Sequence, residues 1–135
     1  MEETVIVIML KDKETGFLEK ELGSYKVSKN EGLIYNTYAV EQEDKIIVYM
    51  KLTIDRDVED WEFEAIYDYY DNETISSLVS SIEEEEDCYN PTWMVSFDFN
   101  DDVQKMEKNI DNILELHVKE LTSVYEVIID KRNEY

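Results

Sequence analysis

The chain of 135 residues offers one imidazole, His117, and one thiol, Cys88, for base or nucleophilic chemistry near neutral pH. His117 falls on the apolar stripe of a C-terminal helical pattern, where a histidine is ordinarily packed rather than catalytic. Cys88 sits between Asp87 and Tyr89, an acidic setting that disfavours the reactive thiolate, so it reads as inert. No GxSxG, SxxK or HExxH occurs. Gly16, Gly23 and Gly32 are too scattered to cradle a phosphate, and one cysteine with one histidine cannot build a zinc site.

Carboxylates are the abundant chemistry, so calcium is the sharper test. Asp55, Asp57 and Glu59 stand at positions 1, 3 and 5 of an EF-hand register. Position 6 should be glycine and is Asp60; position 12 should be glutamate and is Ile66. The register fails. The run Glu83 to Asp87 reads as a solvated helix end rather than a metal site. Two carboxylates for glycoside hydrolysis are available anywhere in such a chain, and nothing singles out a pair. The expectation is therefore a protein with no cofactor and no enzymatic activity.

Charge narrows the partners. There are 34 acidic and 13 basic residues, a net charge of −21. That field repels nucleic acid and anionic membranes, so direct nucleic-acid binding is not expected, and it favours basic partners. The charge is segregated: residues 55–102 hold 17 acids and one base, Arg56. Within that block the stretch DWEFEAIYDYYDNE packs six carboxylates and five aromatics into fourteen positions. A hydrophobic fraction of 43%, with ten tyrosines and two tryptophans, is too high for a disordered chain and fits one folded domain spanning 1–135. VIVIML (Val5 to Leu10) is too short for a membrane span, the acidic start does not resemble a secretion signal, and a lone cysteine suits a reducing cytoplasm.

These residues need elements to position them. Three glycines and one proline imply short loops and long elements. Thr4 to Leu10 is apolar on both faces and reads as a central strand. Lys13 to Gly16 is a turn, followed by a return strand (Phe17 to Leu22, Tyr25 to Val27) broken at Gly23. Residues 33–41 and 45–54 form a hairpin around Glu41-Gln42-Glu43-Asp44, with Ile46, Val48, Met50, Leu52 and Ile54 on one face. For residues 58–70 a period of two places Trp61, Phe63, Ala65, Tyr67 and Tyr69 together and Glu62, Glu64 and Asp68 opposite. A period of 3.6 aligns Val58, Trp61, Ala65 and Tyr69 instead. The strand accounts for more aromatics, and the helix stays the alternative.

A helix over about 73–85, capped by Asp71 or Asn72, carries Ile75, Leu78, Val79 and Ile82. Trp93, Val95, Phe97 and Phe99 alternate in a one-sided strand. The last helix, about 101–131, starts at Asn100-Asp101-Asp102 and buries Val103, Met106, Ile110, Ile113, Leu114, His117, Leu121, Val124 and Ile128. At 1.5 Å per residue it spans roughly 45 Å, longer than a small sheet needs, so its end is expected to project or to serve a partner. The fold class is α+β: an antiparallel sheet of about five or six strands with a short helix and a long C-terminal helix on one face.

The phrases KDKETGFLEKELGSYKV, DRDVEDWEFEAIYDYYD and YNPTW, with the acidic C-terminal helix, resemble a small family of clostridial proteins of unknown function. The resemblance implies a cytoplasmic protein of a low-GC anaerobe with a housekeeping or accessory role, and it carries no residue role. The leading expectation is a non-enzymatic protein-interaction module that meets a basic protein through Glu59, Asp60, Glu62, Glu64, Asp68, Tyr70 and Asp71. The alternatives are a nucleic-acid mimic that inhibits a DNA- or RNA-binding protein, and a divalent-metal-dependent enzyme of unrecognised type. A homodimer through the C-terminal helix is a further expectation. Self-repulsion of the net charge has a direct consequence: thermal stability rises as salt is added, and melting curves across a sodium chloride series check it.

Overall fold

The computed structural model describes residues 4–28, 30–85 and 88–135. Glu86 and Asp87 of the acidic run therefore lie outside the described residues. In chain order the elements are β1 (Thr4–Lys11), β2 (Leu18–Val27), β3 (Ile34–Gln42), β4 (Lys45–Leu52), α1 (Asp60–Tyr69), α2 (Glu73–Ser76), β5 (Ser81–Glu84), β6 (Trp93–Asp98) and α3 (Val103–Ile128). The strands form one six-stranded sheet in the order β2-β1-β3-β4-β6-β5. The class is α+β.

The sheet is mixed rather than wholly antiparallel, because β1 and β3 run parallel, with Leu10 opposite Ala39. The cause is the connection. β2 returns antiparallel to β1 and ends beside Thr4. The short link through the 3₁₀ turn Glu31–Leu33 can cross only that end of β1, so β3 starts where β1 starts.

β2 is not broken at Gly23. It runs continuously, absorbing the irregularity as a register shift beside Leu22. Gly23 is required there, because a Cβ would stand 2.7 Å from the Tyr25 hydroxyl. The exposed edge of β2 is blunted by α3. Glu107 accepts a hydrogen bond from the Lys26 backbone N–H at 2.6 Å, and Asp111 accepts from the Ser28 backbone N–H and hydroxyl at 3.1 and 2.8 Å.

One face of the sheet holds the core. Ile8, Tyr25, Ala39, Val48, Met50 and Val95 meet Met106, Ile110, Ile113 and Leu114 of α3. A second cluster gathers Ile54, Ala65, Ile66, Tyr70 and Trp93 around Leu121, Val124 and Ile128. The apolar stripe of α3 is thus buried to its last turn, and its end does not project. Val103 is the exception among the expected core positions, half exposed ahead of the first full turn. Asp102 caps the helix by accepting from the Gln104 and Lys105 N–H groups at 3.0 and 3.3 Å.

Two further expectations are corrected. Residues 60–69 are a helix, not a strand. A capping box starts it: the Glu59 side chain accepts from the backbone N–H of Glu62, and the Glu62 carboxylate accepts from the Glu59 N–H at 3.0 Å. The alternating aromatics that suggested a strand include an i, i+4 pair, Phe63 and Tyr67, in edge-to-face contact with centroids 5.2 Å apart.

The second correction concerns 73–85. The helix stops after Ser76 and the chain becomes β5, with Ile82 opposite Val95 and Glu83 opposite Met94. The ladder to β6 satisfies backbone that a helix would leave beside a run of acids at its unfavourable end. Ser80 N–H reaches Ser96 C=O at 2.6 Å, Glu85 N–H reaches Thr92 C=O at 2.8 Å, and the Ser81 and Ser96 hydroxyls share a hydrogen bond of 2.6 Å.

The turn between β3 and β4 places Glu43 and Asp44 at φ 47° and 67°, the pattern of a type I′ hairpin without the usual glycine. A side chain in this region is strained. Asp44→Gly is expected to stabilise the protein by about 1 kcal/mol in urea unfolding, whereas Gly16→Ala, at φ 76° with open space around it, should cost about as much. Equal stabilities for the parent and both variants would contradict this account of the turns.

Candidate functional site

The buried polar groups come first, because a catalytic site would draw on them. His117 is fully buried on α3. Its Nε2 lies 2.9 Å from the Thr53 carbonyl, which can only accept, so Nε2 carries the proton. Nδ1 then accepts from the Tyr70 hydroxyl at 2.8 Å. The Tyr70 ring stacks on Trp93 at 4.3 Å between centroids, and Trp93 meets the imidazole edge-to-face at 5.3 Å. Burial lowers the His117 pKa from 6.5 to about 4, against an opposing effect of the Thr53 hydrogen bond, and burial pushes the Tyr70 hydroxyl up. A base with no exposed surface and two protein partners cannot reach a substrate, so this triad is a structural tie. Next to it, Tyr67 pins the β5–β6 loop, accepting from Thr92 N–H at 2.8 Å and donating to Glu85 C=O at 2.9 Å.

The helical form of α1 redistributes the residues expected to meet a partner. Asp60, Glu64 and Asp68, four apart, line one exposed flank of the helix. Glu59 and Glu62 are turned into the capping box. Glu59 also accepts from Trp61 Nε1 at 2.6 Å, and Glu62 lies 4.0 Å from Arg56. Asp71 caps the next turn by accepting from Glu73 N–H at 3.0 Å. Tyr70 is 7% exposed and belongs to the core, so it is not on the surface where the sequence placed it.

One acid the sequence did not single out joins the flank. Glu84 stands opposite Trp93, which the Tyr67 ring meets at 5.4 Å, and the Tyr67 hydroxyl donates to the Glu85 carbonyl at 2.9 Å, so β5 runs beside the end of α1. Burial and, second, the like charge on Asp68 hold the Glu84 carboxyl above its usual range. Asp68 also accepts from the Tyr135 hydroxyl at 2.7 Å, and that bond pushes Tyr135 up to about 12. Among the described residues, no lysine or arginine forms an ion pair with Asp60, Glu64, Asp68 or Glu84. No periodicity reveals the Asp68–Glu84 neighbourhood, because it depends on β5 being a strand.

The other described carboxylates of 55–102 do not all share this flank. Glu83 and Asp98 sit on the helix-free face of the sheet, and Asp102 caps α3. Among the described residues no three Asp, Glu, His or Cys side chains gather as metal ligands would. A cleft of about 560 Å³ at the β1–β2 tip mixes Lys11, Lys13 and Lys20 with Asp12, Glu14, Glu19 and Glu41, so its charges largely cancel. No described helix is long and apolar enough to cross a membrane.

Comparison with known proteins adds one match. The sequence fits the family of unknown function DUF6762 over residues 1–135. The chain belongs to this family. No curated protein and no solved structure matches it. The membership covers the whole fold described above, including α1 and the triad, and assigns a role to no residue.

The triad makes the stability of this family member depend on pH. The unfolded chain protonates the imidazole near 6.5 and the folded chain near 4. Between those values the unfolded state binds more protons, so stability present above pH 6.5 is lost as pH falls towards 4, by about 3 kcal/mol. In urea unfolding over that range, His117→Gln should be less stable at pH 7 and show a flatter acid slope than the parent. Parallel slopes would show that His117 does not titrate with folding.

Proposed function

We propose that this chain is a non-enzymatic protein-interaction module whose acidic flank on α1 and β5 receives a basic protein. The observation that supports it is the ridge Asp60, Glu64, Asp68 and Glu84, unpaired with any cation among the described residues. Like charges four apart on a helix cost about 0.2–0.5 kcal/mol per pair. Asp60 offsets this at the helix N-terminus and Asp68 through the Tyr135 hydroxyl, which leaves Glu64 as the acid of α1 that folding does not explain. A basic partner would supply the missing countercharge and steer quickly to the ridge. The reading includes a cytoplasmic setting, in line with the single free cysteine, and the clostridial affinity that the quoted phrases carry. The placing of other acids off this flank gives less support to a nucleic-acid mimic, which needs one continuous ridge.

The test is affinity capture on the immobilised chain, alongside the triple variant Asp60→Asn, Glu64→Gln, Asp68→Asn. The parent should retain a basic protein at low salt and lose it as salt rises, and the variant should not retain it. Retention of nothing above background, or an identical catch on the variant, would refute the proposal. Removing the repulsion should also make Glu64→Gln more stable than the parent by about 0.5 kcal/mol in urea unfolding, with capture weakened.

A further inference from the structure

The face of the sheet away from the helices is not built like a solvated one. In a two-layer α+β fold the outward positions of a strand are ordinarily polar. β1 instead turns Val5, Val7 and Met9 outward, with Val5 and Val7 46% and 44% exposed. An apolar run on both faces is the pattern of a strand covered twice. The three central strands, β1, β3 and β4, present no carboxylate on this face, in a chain with 34 acids. Their only outward charges are Lys11, Lys45 and Lys51.

The register aligns these residues in rows across the sheet. Nearest the hairpin tips, Lys11, Val40, Ile47 and Asp98 follow one another from β1 to β6. In the next row come Met9, Tyr38, Tyr49 and Ser96, with the two tyrosine rings stacked at 5.5 Å. Then come Val7, Asn36, Lys51 and Met94, extended on the outer strands by Ser24 and Glu83.

A second copy laid face to face about a two-fold axis parallel to the strands would put β1 over the partner's β6, and β3 over its β4. Lys11 then faces the second copy's Asp98, Val40 faces Ile47, Tyr38 faces Tyr49, Val7 faces Met94 and Asn36 faces Lys51. Glu83 meets Ser24. No like charges oppose one another in these three rows. The outward residues of α3, among them Lys105, Lys108, Glu115, Lys119 and Glu126, are mostly polar, as on a solvated helix face.

We infer that this chain forms a homodimer by packing the open faces of two sheets against each other, with Lys11 of each copy paired to Asp98 of the other. Six strands about 4.8 Å apart and about seven residues long give a face of roughly 650 Å². A standard interface buries about 800 Å² per partner, so the dimer belongs to the weaker, concentration-dependent class. Each copy carries −21, so salt strengthens the association by screening their repulsion. That is opposite to the salt dependence of the acidic ridge, which lies elsewhere on the molecule, so the two proposals fail independently.

Sedimentation velocity of the full chain from micromolar to millimolar concentration, at low and high salt, is the test. The expected result is a mass rising from 16.1 kDa towards twice that value, more readily at high salt. Val7→Lys should weaken the dimer, since it sets a charge against the second copy's Met94 while remaining tolerable on an exposed strand face. Lys11→Glu and Asp98→Lys should each weaken it by about tenfold, and the double reversal should restore it. Within one chain these two positions are three strands apart, roughly 14 Å, so restoration cannot come from an internal pair. Circular dichroism and melting of each variant establish that the monomer stays folded. A monomer at every concentration and salt overturns the inference and leaves the face to a different protein. So does a dimer indifferent to Val7→Lys, or a double reversal no better than the single ones.

Discussion

His117 enters the core only as a neutral imidazole with both nitrogens bonded, and much of the architecture is arranged around that constraint. Its Nε2 proton goes to the backbone just beyond β4, and its Nδ1 takes the Tyr70 hydroxyl at the end of α1. Trp93, the first residue of β6, covers the ring edge and the Tyr70 face together. Three elements distant in sequence meet α3 at this one side chain. A buried polar group left without a partner costs about 1–3 kcal/mol, so moving any one of these elements would expose the others to that penalty. This is the same physics that removes Tyr70 from the surface and His117 from catalysis.

Anchoring α1 to α3 through Tyr70 also decides which way its carboxylates face. With Ala65 and Ile66 packed inward, Asp60, Glu64 and Asp68 have only the solvent side left. The molecule then has two surfaces of different character. One is an acidic flank on α1 and β5 that lacks countercharge among the described residues. The other is a sheet face whose centre is apolar, aromatic and lysine-bearing. In a chain of net charge −21 the absence of acids from the open face of three adjacent strands is as informative as their abundance elsewhere.

Where local signals and tertiary packing agreed, the sequence was readable. The alternation in β4 and β6 and the 3.6-residue stripe of α3 match the buried positions closely, because each element packs one side against the core between sheet and helices. Residues 58–70 misled because aromatics sit on several sides of α1. Trp61, Phe63 and Tyr67 each find a different neighbour, so the apolar pattern does not follow a single face. Residues 77–84 misled because Ile82 fits a helical stripe and a strand equally well. The free edge of β6, which no local window contains, settled the choice.

Composition and periodicity by themselves determined an acidic α+β protein with a long amphipathic C-terminal helix and no recognisable catalytic motif, since these depend on counts and on spacing along the chain. The tertiary structure alone decided that α1 is a helix, that β1 and β3 run parallel, that Glu84 stands beside Asp68, and that Lys11 shares a row with Val40, Ile47 and Asp98. Each of those is a meeting of residues far apart in sequence. Which one forms depends on how backbone hydrogen bonds and buried polar groups are satisfied across the whole fold, a balance no local stretch contains.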